Sequence, residues 1–192
     1  MKGYEKRIKE KNYLVIAVKI LTDITVVAGV AIFLFAHFFD EVKVSGTSME
    51  PSFEDGDILY LDEFTYKFFD AKRLDVIAFT LDNSDTVYVK RIIGLPGEKI
   101  QIKNGSIYID GKLLEADIEA ENILNAGDAE EVIKLGDDEY FVLGDNRNNS
   151  EDSRFASIGM VKEDNIIGRA WLEVTSLKDF GFVKAEEQEV AE

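Results

Sequence analysis

The chain has 192 residues, 46% of them hydrophobic, with a formal net charge of −16, no Cys and a single His, His37. This length suits one sizeable core and a membrane segment rather than two large domains. The composition excludes disulfides, thiolate nucleophiles and Cys-ligated or His-rich metal sites, and the acidic balance argues against nucleic-acid binding. We therefore expect no metal, no cofactor and no nucleic-acid partner.

The first predicted element is a membrane anchor. Residues 1–11 hold five Lys or Arg and two Glu, and residues 14–39 are uncharged except for Lys19 and Asp23. As a helix, residues 14–39 span about 39 Å, which is enough to cross a lipid bilayer. Their apolar side chains cover all faces, unlike those of a buried amphipathic helix. A cleaved secretory signal is not expected, because no small-x-small cleavage pattern follows the long apolar run before Phe39. The positive-inside rule places the basic flank in the cytoplasm and everything after the helix outside the cell membrane.

Beyond the anchor, the sequence is typical of a β-rich domain. Asn104 and Gly105, between two alternating runs, predict a tight hairpin. Residues 114–135 predict either a short helix or an inserted loop. Short runs of β-branched and aromatic residues predict strands at 58–61, 76–80, 86–93, 99–103, 106–109, 139–143 and 166–174. The chain then divides into a cytoplasmic N-terminus (1–13), a transmembrane anchor (14–39), an extracytoplasmic β-rich domain (40–180) and an acidic tail (181–192).

The segment SGTSMEP, residues 45–51, offers a candidate nucleophile in Ser48. A serine needs a base to take its proton, and His37 lies inside the apolar stretch, so lysine is the obvious substitute. Lys90 alternates with apolar residues in its predicted strand, and burial there would favour the neutral amine that a base requires. Arg91 would point to the opposite face and form a structural ion pair. A strand lysine without this context would more simply be a solvated side chain.

Three blocks in order behind an apolar segment, SGTSMEP, YVKRIIGLPGE and GDNRNNSEDSR, resemble those of the bacterial type I signal peptidases. The resemblance implies a mainly β fold: an antiparallel β-sheet catalytic domain of the signal-peptidase/SOS-repressor protease type, preceded by one N-terminal transmembrane α-helix. It implies a serine endopeptidase in which Ser48 is the nucleophile and Lys90 is the general base. The substrates would be secretory preproteins, cut after small residues as they leave the lipid bilayer. Ser48 follows residue 39 by nine positions, which keeps it within roughly 30 Å of the bilayer.

The resemblance also implies roles for residues around this pair. Ser150 would hydrogen-bond Lys90, and Asp152 and Arg154 would form an ion pair that braces the site. The backbone N–H of Ser48 would donate to the oxyanion. Some family members add a serine hydroxyl two residues before the nucleophile, where this chain has Gly46. The candidate walls of shallow apolar substrate pockets are Val44, Met49, Tyr88 and Val89.

Two other functions remain open at this point. An autoprotease of the SOS-repressor type would share the Ser–Lys chemistry, but it would carry a DNA-binding half and no anchor. A non-catalytic, membrane-anchored β domain for adhesion or assembly would explain the composition and the anchor. It would not explain why Ser48, Lys90 and Ser150 fall in three matching blocks.

Overall fold

The structure is a computed structural model that describes residues 2–82, 84–115, 122–174 and 180–183. It divides into two units, Met1–Phe39 and Asp40–Glu192, and each is described by itself. Most of the predicted acidic tail, residues 184–192, and part of the segment with no clear pattern, residues 116–121, lie outside the described residues.

The N-terminal unit is one long helix, α1 (Lys2–Phe38). Within it, Val15–Phe33 is a stretch of 19 residues with a mean hydropathy of 2.2, long and apolar enough to cross a membrane. Every side chain from residue 15 to residue 33 is exposed, including Ile24 and Phe33. Water would disfavour so large an apolar surface, whereas the lipid core of a bilayer matches it.

The second unit is built from strands and short helices. The seven predicted strands are all present, within two residues of their predicted bounds. The strands are β1 (Phe39–Lys43), β2 (Ile58–Asp62), β3 (Val76–Phe79), β4 (Tyr88–Gly94), β5 (Lys99–Lys103), β6 (Ser106–Ile109), β7 (Lys112–Leu113), β8 (Ile133–Lys134), β9 (Glu139–Leu143), β10 (Val161–Lys162), β11 (Ile166–Val174) and β12 (Phe180–Phe182). The 3₁₀ helices are Thr65–Lys67, Gly127–Glu130 and Glu163–Asn165.

The larger sheet places β4 in an interior position. Its strand order is β1-β2-β11-β3-β4-β9-β10, and β12 pairs with β11. On one side of β4, Lys90 lies opposite Ile77 of β3, and on the other side Arg91 lies opposite Leu143 of β9; both pairings are antiparallel. The loop that follows β9 therefore begins beside the middle of β4. These pairings confirm the predicted mainly antiparallel β fold.

The smaller sheet, ordered β7-β6-β5-β8, contains the predicted hairpin. Lys103 pairs with Ser106 across the turn, and the two residues between them have φ angles of 52° (Asn104) and 81° (Gly105). Asparagine and glycine are the residues that tolerate this left-handed backbone, which is why the pair fixes the turn.

Residues 114–135 hold the small sheet against the core rather than forming a separate element. The described part contains the 3₁₀ helix Gly127–Glu130 and the short strand β8. Ile123, Ala129 and Leu135 are buried and pack in one cluster with residues of β5 and β6. The described residues of this segment are thus mostly loop with one short helical turn, anchored by three apolar side chains.

Candidate active site

The structure brings the hydroxyl of Ser48 and the amine of Lys90 together. Ser48 lies in the loop between β1 and β2, and Lys90 lies in β4. The Nζ of Lys90 is 2.7 Å from the Oγ of Ser48, and it also donates a hydrogen bond of 3.1 Å to the carbonyl oxygen of Val89. The amine therefore has hydrogen-bonding contact with the hydroxyl that it would have to deprotonate.

Burial is the largest influence on the pKa of this amine. Lys90 is only 4% exposed. Burial lowers the pKa of Lys90 below its ordinary value, while the negative charges of Asp152, Asp145 and Glu151 raise it in part. A neutral amine has a lone pair that can accept the proton of Ser48, so this environment favours the form that a general base needs.

The single histidine of the chain, His37, belongs to α1. Within the described ranges, no group of three or more His, Cys, Asp or Glu side chains is arranged to hold a metal ion.

Hydrogen bonds within the loop 44–57 hold the backbone around Ser48. Val44 and Asp57 close the base of the loop through a backbone hydrogen bond of 2.8 Å. Gly46 has a φ of +84°, and its N–H donates to the Oδ1 of Asp55 at 2.8 Å. A residue with a Cβ would be strained at this φ, which gives the absence of a hydroxyl at Gly46 a local structural reason.

An ion pair joins β4 to the loop after β9. The guanidinium of Arg91 donates to both carboxylate oxygens of Asp145, at 2.9 and 2.7 Å, and to the carbonyl oxygen of Leu74 at 2.8 Å. Both partners are buried. The predicted structural ion pair of Arg91 is thus present, and it fixes where the loop after β9 begins.

The predicted ion pair between Asp152 and Arg154 is also present. Arg154 donates to the two oxygens of Asp152 at 2.8 and 2.9 Å, and both side chains are buried. The Oδ2 of Asp152 also accepts the backbone N–H of Gly144 at 3.1 Å, and Arg154 reaches the carbonyl oxygen of Asn125 at 3.0 Å. The pair closes the loop 144–154 on itself and ties it to the preceding segment.

The predicted hydrogen bond between Ser150 and Lys90 is absent. The Oγ of Ser150 is buried and has no hydrogen-bond partner among the described residues. It packs instead against the backbone of Gly144, where an added Cβ would collide with this oxygen and with the carbonyl oxygen of Ser48. The amine of Lys90 is directed to Ser48 and Val89, so this part of the prediction is wrong for this structure.

Three of the four predicted pocket residues lie together. Val44, Met49 and Val89 pack in one buried cluster next to the nucleophile loop. Tyr88 belongs to a different cluster and stacks on Phe79 with ring centroids 5.7 Å apart. Adjacent strand residues point to opposite faces, so Tyr88 and Val89 do not share one wall.

Two asparagines contact the nucleophile loop and were not predicted to do so. The Nδ2 of Asn146 donates to the carbonyl oxygen of Thr47 at 3.0 Å, and the Nδ2 of Asn149 donates to the Thr47 hydroxyl at 2.9 Å. The partners lie about a hundred positions apart in the sequence. The only sequence signal for these asparagines is that they lie in the segment GDNRNNSEDSR. No spacing pattern in a sequence identifies the hydrogen-bond partner of a side-chain amide.

Comparison with known proteins identifies the family. The model of the family described as signal peptidase, peptidase S26, matches residues 17–175. Signal peptidase I P of Bacillus subtilis subsp. natto is 32% identical over 173 residues, which cover 86% of this chain and 91% of that protein. Signal peptidase I T of Bacillus subtilis (strain 168) is 37% identical over 156 residues, 74% of this chain and 78% of that protein. A crystal structure of a signal peptidase I from Enterococcus faecalis V583, 31% identical, covers 53% of this chain and 97% of that chain with a TM-score of 0.42. Since the family model matches most of the chain, the protein belongs to the signal peptidase family, peptidase S26.

Proposed function

We propose that this protein is a membrane-anchored serine endopeptidase that removes N-terminal signal peptides from secretory preproteins, with Ser48 as nucleophile and Lys90 as general base. The observation that carries the proposal is the 2.7 Å contact between the Oγ of Ser48 and the Nζ of a lysine that is 4% exposed. The family match and the relatives named signal peptidase I support the choice of substrate.

Acylation follows from the positions of the two groups. As the Oγ of Ser48 attacks the carbonyl carbon of the scissile peptide bond, its proton passes to the lone pair of neutral Lys90. The negative oxygen that forms is stabilised by the N–H of Ser48. The C–N bond then breaks, the leaving amine takes the proton from Lys90, and the signal peptide remains as an ester on Ser48.

Deacylation uses the same base. Lys90, neutral again, accepts a proton from a water molecule while the water oxygen attacks the ester carbonyl. The C–O bond to Ser48 breaks, the Ser48 oxygen takes the proton back, and the signal peptide leaves with a free carboxylate.

Substrate choice and location rest on the surroundings of the pair. Val44, Met49 and Val89, which pack together next to the nucleophile loop, are the candidate apolar wall for small side chains of the substrate. The basic first turns of α1 would lie in the cytoplasm, and the peptidase domain would then meet its preprotein substrates at the outer face of the membrane. A non-catalytic anchored domain would have no use for a buried lysine in contact with a serine.

The test is cleavage of a preprotein by the full-length protein in lipid vesicles, with products identified by mass spectrometry. We expect Ser48→Ala and Lys90→Ala each to abolish cleavage, because the nucleophile and its base act as one unit. Lys90→Arg should also be inactive, because a guanidinium does not lose its proton. Lys103→Ala, at an exposed strand position, is the matched control and should cleave at the wild-type rate. Cleavage by folded Ser48→Ala would refute the proposal.

A further inference from the structure

A single residue, Asn146, holds both peptide groups that flank the nucleophile. Its side-chain Nδ2 donates to the carbonyl oxygen of Thr47 at 3.0 Å, and its backbone N–H donates to the carbonyl oxygen of Ser48 at 3.1 Å. The first contact, together with a longer backbone hydrogen bond of 3.3 Å from the N–H of Glu50 to the same Thr47 oxygen, holds the peptide plane before Ser48, and the second contact holds the plane after it. With both planes fixed, the backbone angles of Ser48 are fixed too.

Because the peptide bond between Thr47 and Ser48 is trans, the first contact also sets the direction of the Ser48 N–H. The C=O of Thr47 and the N–H of Ser48 belong to the same planar group and point in opposite directions. Holding the Thr47 oxygen on one side therefore directs the Ser48 N–H to the other. This N–H donates to no atom of the described residues, so it is available to a substrate oxygen.

The support of Asn146 is itself rigid. The residue follows Asp145, which is buried and bonded through both carboxylate oxygens to Arg91 of β4. The N–H of Asn149 returns to the carbonyl oxygen of Asn146 at 3.0 Å, and the Asn149 side chain holds the Thr47 hydroxyl. The position of Asn146 is thus set by an interior strand rather than by the mobile end of a loop.

We infer that Asn146 is a positioning residue that aims the Ser48 N–H at the oxyanion formed during peptide cleavage. The inference rests on the proposed function. The direction of the Ser48 N–H matters more here than in a site where a serine hydroxyl is a second oxyanion donor, because Gly46 has no side chain that could donate. A donor is effective only when it lies within hydrogen-bonding distance of the position that the oxyanion, not the ground-state carbonyl, will occupy.

Two substitutions test the hydrogen bond from the Asn146 side chain, and one of them, Asn146→Asp, keeps the shape of the side chain. In Asn146→Asp, an acceptor would face the carbonyl oxygen of Thr47, and in Asn146→Ala the contact would be lost. Asn148→Ala is the matched control, because the Asn148 side chain bonds the backbone of Asn122 and Leu124 instead of the nucleophile loop. All three variants are made in the full-length protein and compared by kcat, KM, the pH profile of cleavage and thermal unfolding.

We expect kcat to fall about tenfold in Asn146→Ala and further in Asn146→Asp, with KM little changed. A donor that is present but wrongly oriented should lower kcat by less than the roughly 10²- to 10³-fold that follows removal of an oxyanion donor. The acid limb of the pH profile should not move in Asn146→Ala, because the amine of Lys90 gains and loses no charged neighbour. In Asn146→Asp the added carboxylate should move the limb to higher pH, because a nearby negative charge stabilises the Lys90 ammonium. Asn148→Ala should keep the wild-type kcat even if it lowers the unfolding temperature.

A wild-type kcat in either folded Asn146 variant would overturn the inference, as would a defect confined to KM. So would an equal loss of kcat in Asn148→Ala, which would reflect general loosening of the loop. If Asn146→Asp does not fold, Asn146→Ala gives the same readout without an added charge. Ser48→Ala is run alongside: if it is inactive while the Asn146 variants are normal, only the inference fails, and if it is active, the proposed function fails.

Discussion

The pKa of Lys90 reflects two opposing influences. Burial lowers it, and the carboxylates of Asp152, Asp145 and Glu151 raise it. Asp145 and Asp152 are paired with buried arginines, whereas Glu151 is exposed and accepts a hydrogen bond from Ser157 at 3.1 Å. Glu151 is therefore the carboxylate whose charge can be removed without leaving a buried cation unpaired.

Glu151→Gln should shift the acid limb of cleavage to lower pH. Cleavage rises with pH as the Lys90 ammonium loses its proton, and removing the negative charge of Glu151 makes that ammonium less stable. The pKa of Lys90 is then lower, while the rate on the plateau stays within about twofold of wild type because the base and nucleophile are unchanged. The measurement is kcat/KM against pH at low and high salt, since screening should shrink the shift of this exposed charge.

Glu130→Gln, in the 3₁₀ helix that packs on the small sheet, is the control and should leave the limb in place. An acid limb that moves to higher pH in Glu151→Gln would show that the carboxylate does not act on Lys90 through its charge.

At the level of single residues, the sequence motifs predicted some contacts of the site and missed others. The three blocks predicted that Ser48 and Lys90 would meet, and alternation predicted the ion pair of Arg91. Nothing in the sequence indicated that Asn146 would bond Thr47, or that the Ser150 hydroxyl would pack on glycine instead of bonding lysine. Such choices depend on where a loop places its polar atoms to within about an ångström, which residue spacing does not encode.

Among the elements, the strands of four or more residues were predictable with the exception of β1 (Phe39–Lys43), and the strands of two or three residues were not. Runs of five to nine residues rich in β-branched and aromatic side chains identified β4, β5 and β11, and the first two also alternate. β7, β8 and β10 have two residues each, too few for any periodicity, and they exist only because a neighbouring strand pairs with them. The position of the shortest strands is thus a property of the assembled sheet.

The bend before β3 contains a strained residue. Leu74 has a φ of 70° yet is fully buried, and its N–H donates to the carbonyl oxygen of Ile92 at 2.8 Å. The left-handed backbone costs a residue with a Cβ about 1–2 kcal/mol, which glycine avoids. The packing of the Leu74 side chain in the core outweighs that cost.

Leu74→Ala should destabilise the protein by about 2–5 kcal/mol, because it removes core packing and keeps the strained backbone. Leu74→Gly loses one carbon more than Leu74→Ala but relieves the strain, so it should be the more stable of the two by about 1 kcal/mol. Thermal unfolding of the full-length variants should show Leu74→Gly melting a few degrees above Leu74→Ala.

Leu61, equally buried in β2 with an ordinary strand backbone, provides the matched pair. There the order should be the usual one, with Leu61→Gly less stable than Leu61→Ala. The same order at both positions would mean that strain at Leu74 is negligible.

On the scale of the whole molecule, the two units should be separable. The second unit has its own buried clusters, built from residues that begin with Val44. A protein that begins at Asp40 should therefore fold, stay in the soluble fraction, and cleave a short signal-peptide substrate at a rate close to that of the full-length protein. Fractionation, circular dichroism and a peptide cleavage assay test this. Failure to fold without α1 would show that the helix contributes to the core as well as to anchoring.

The most direct test is the protonation state of Lys90 itself. Its ε-carbon resonance, identified by its absence in Lys90→Arg, can be titrated by NMR in the folded wild-type protein from about pH 5 to about pH 11, a range that spans the ordinary lysine value. We predict a midpoint below the ordinary lysine pKa of about 10.4 that coincides with the acid limb of kcat/KM for preprotein cleavage. A midpoint at or above the ordinary value, in a protein that cleaves preproteins fully at neutral pH, would show that Lys90 is protonated during turnover and is not the base.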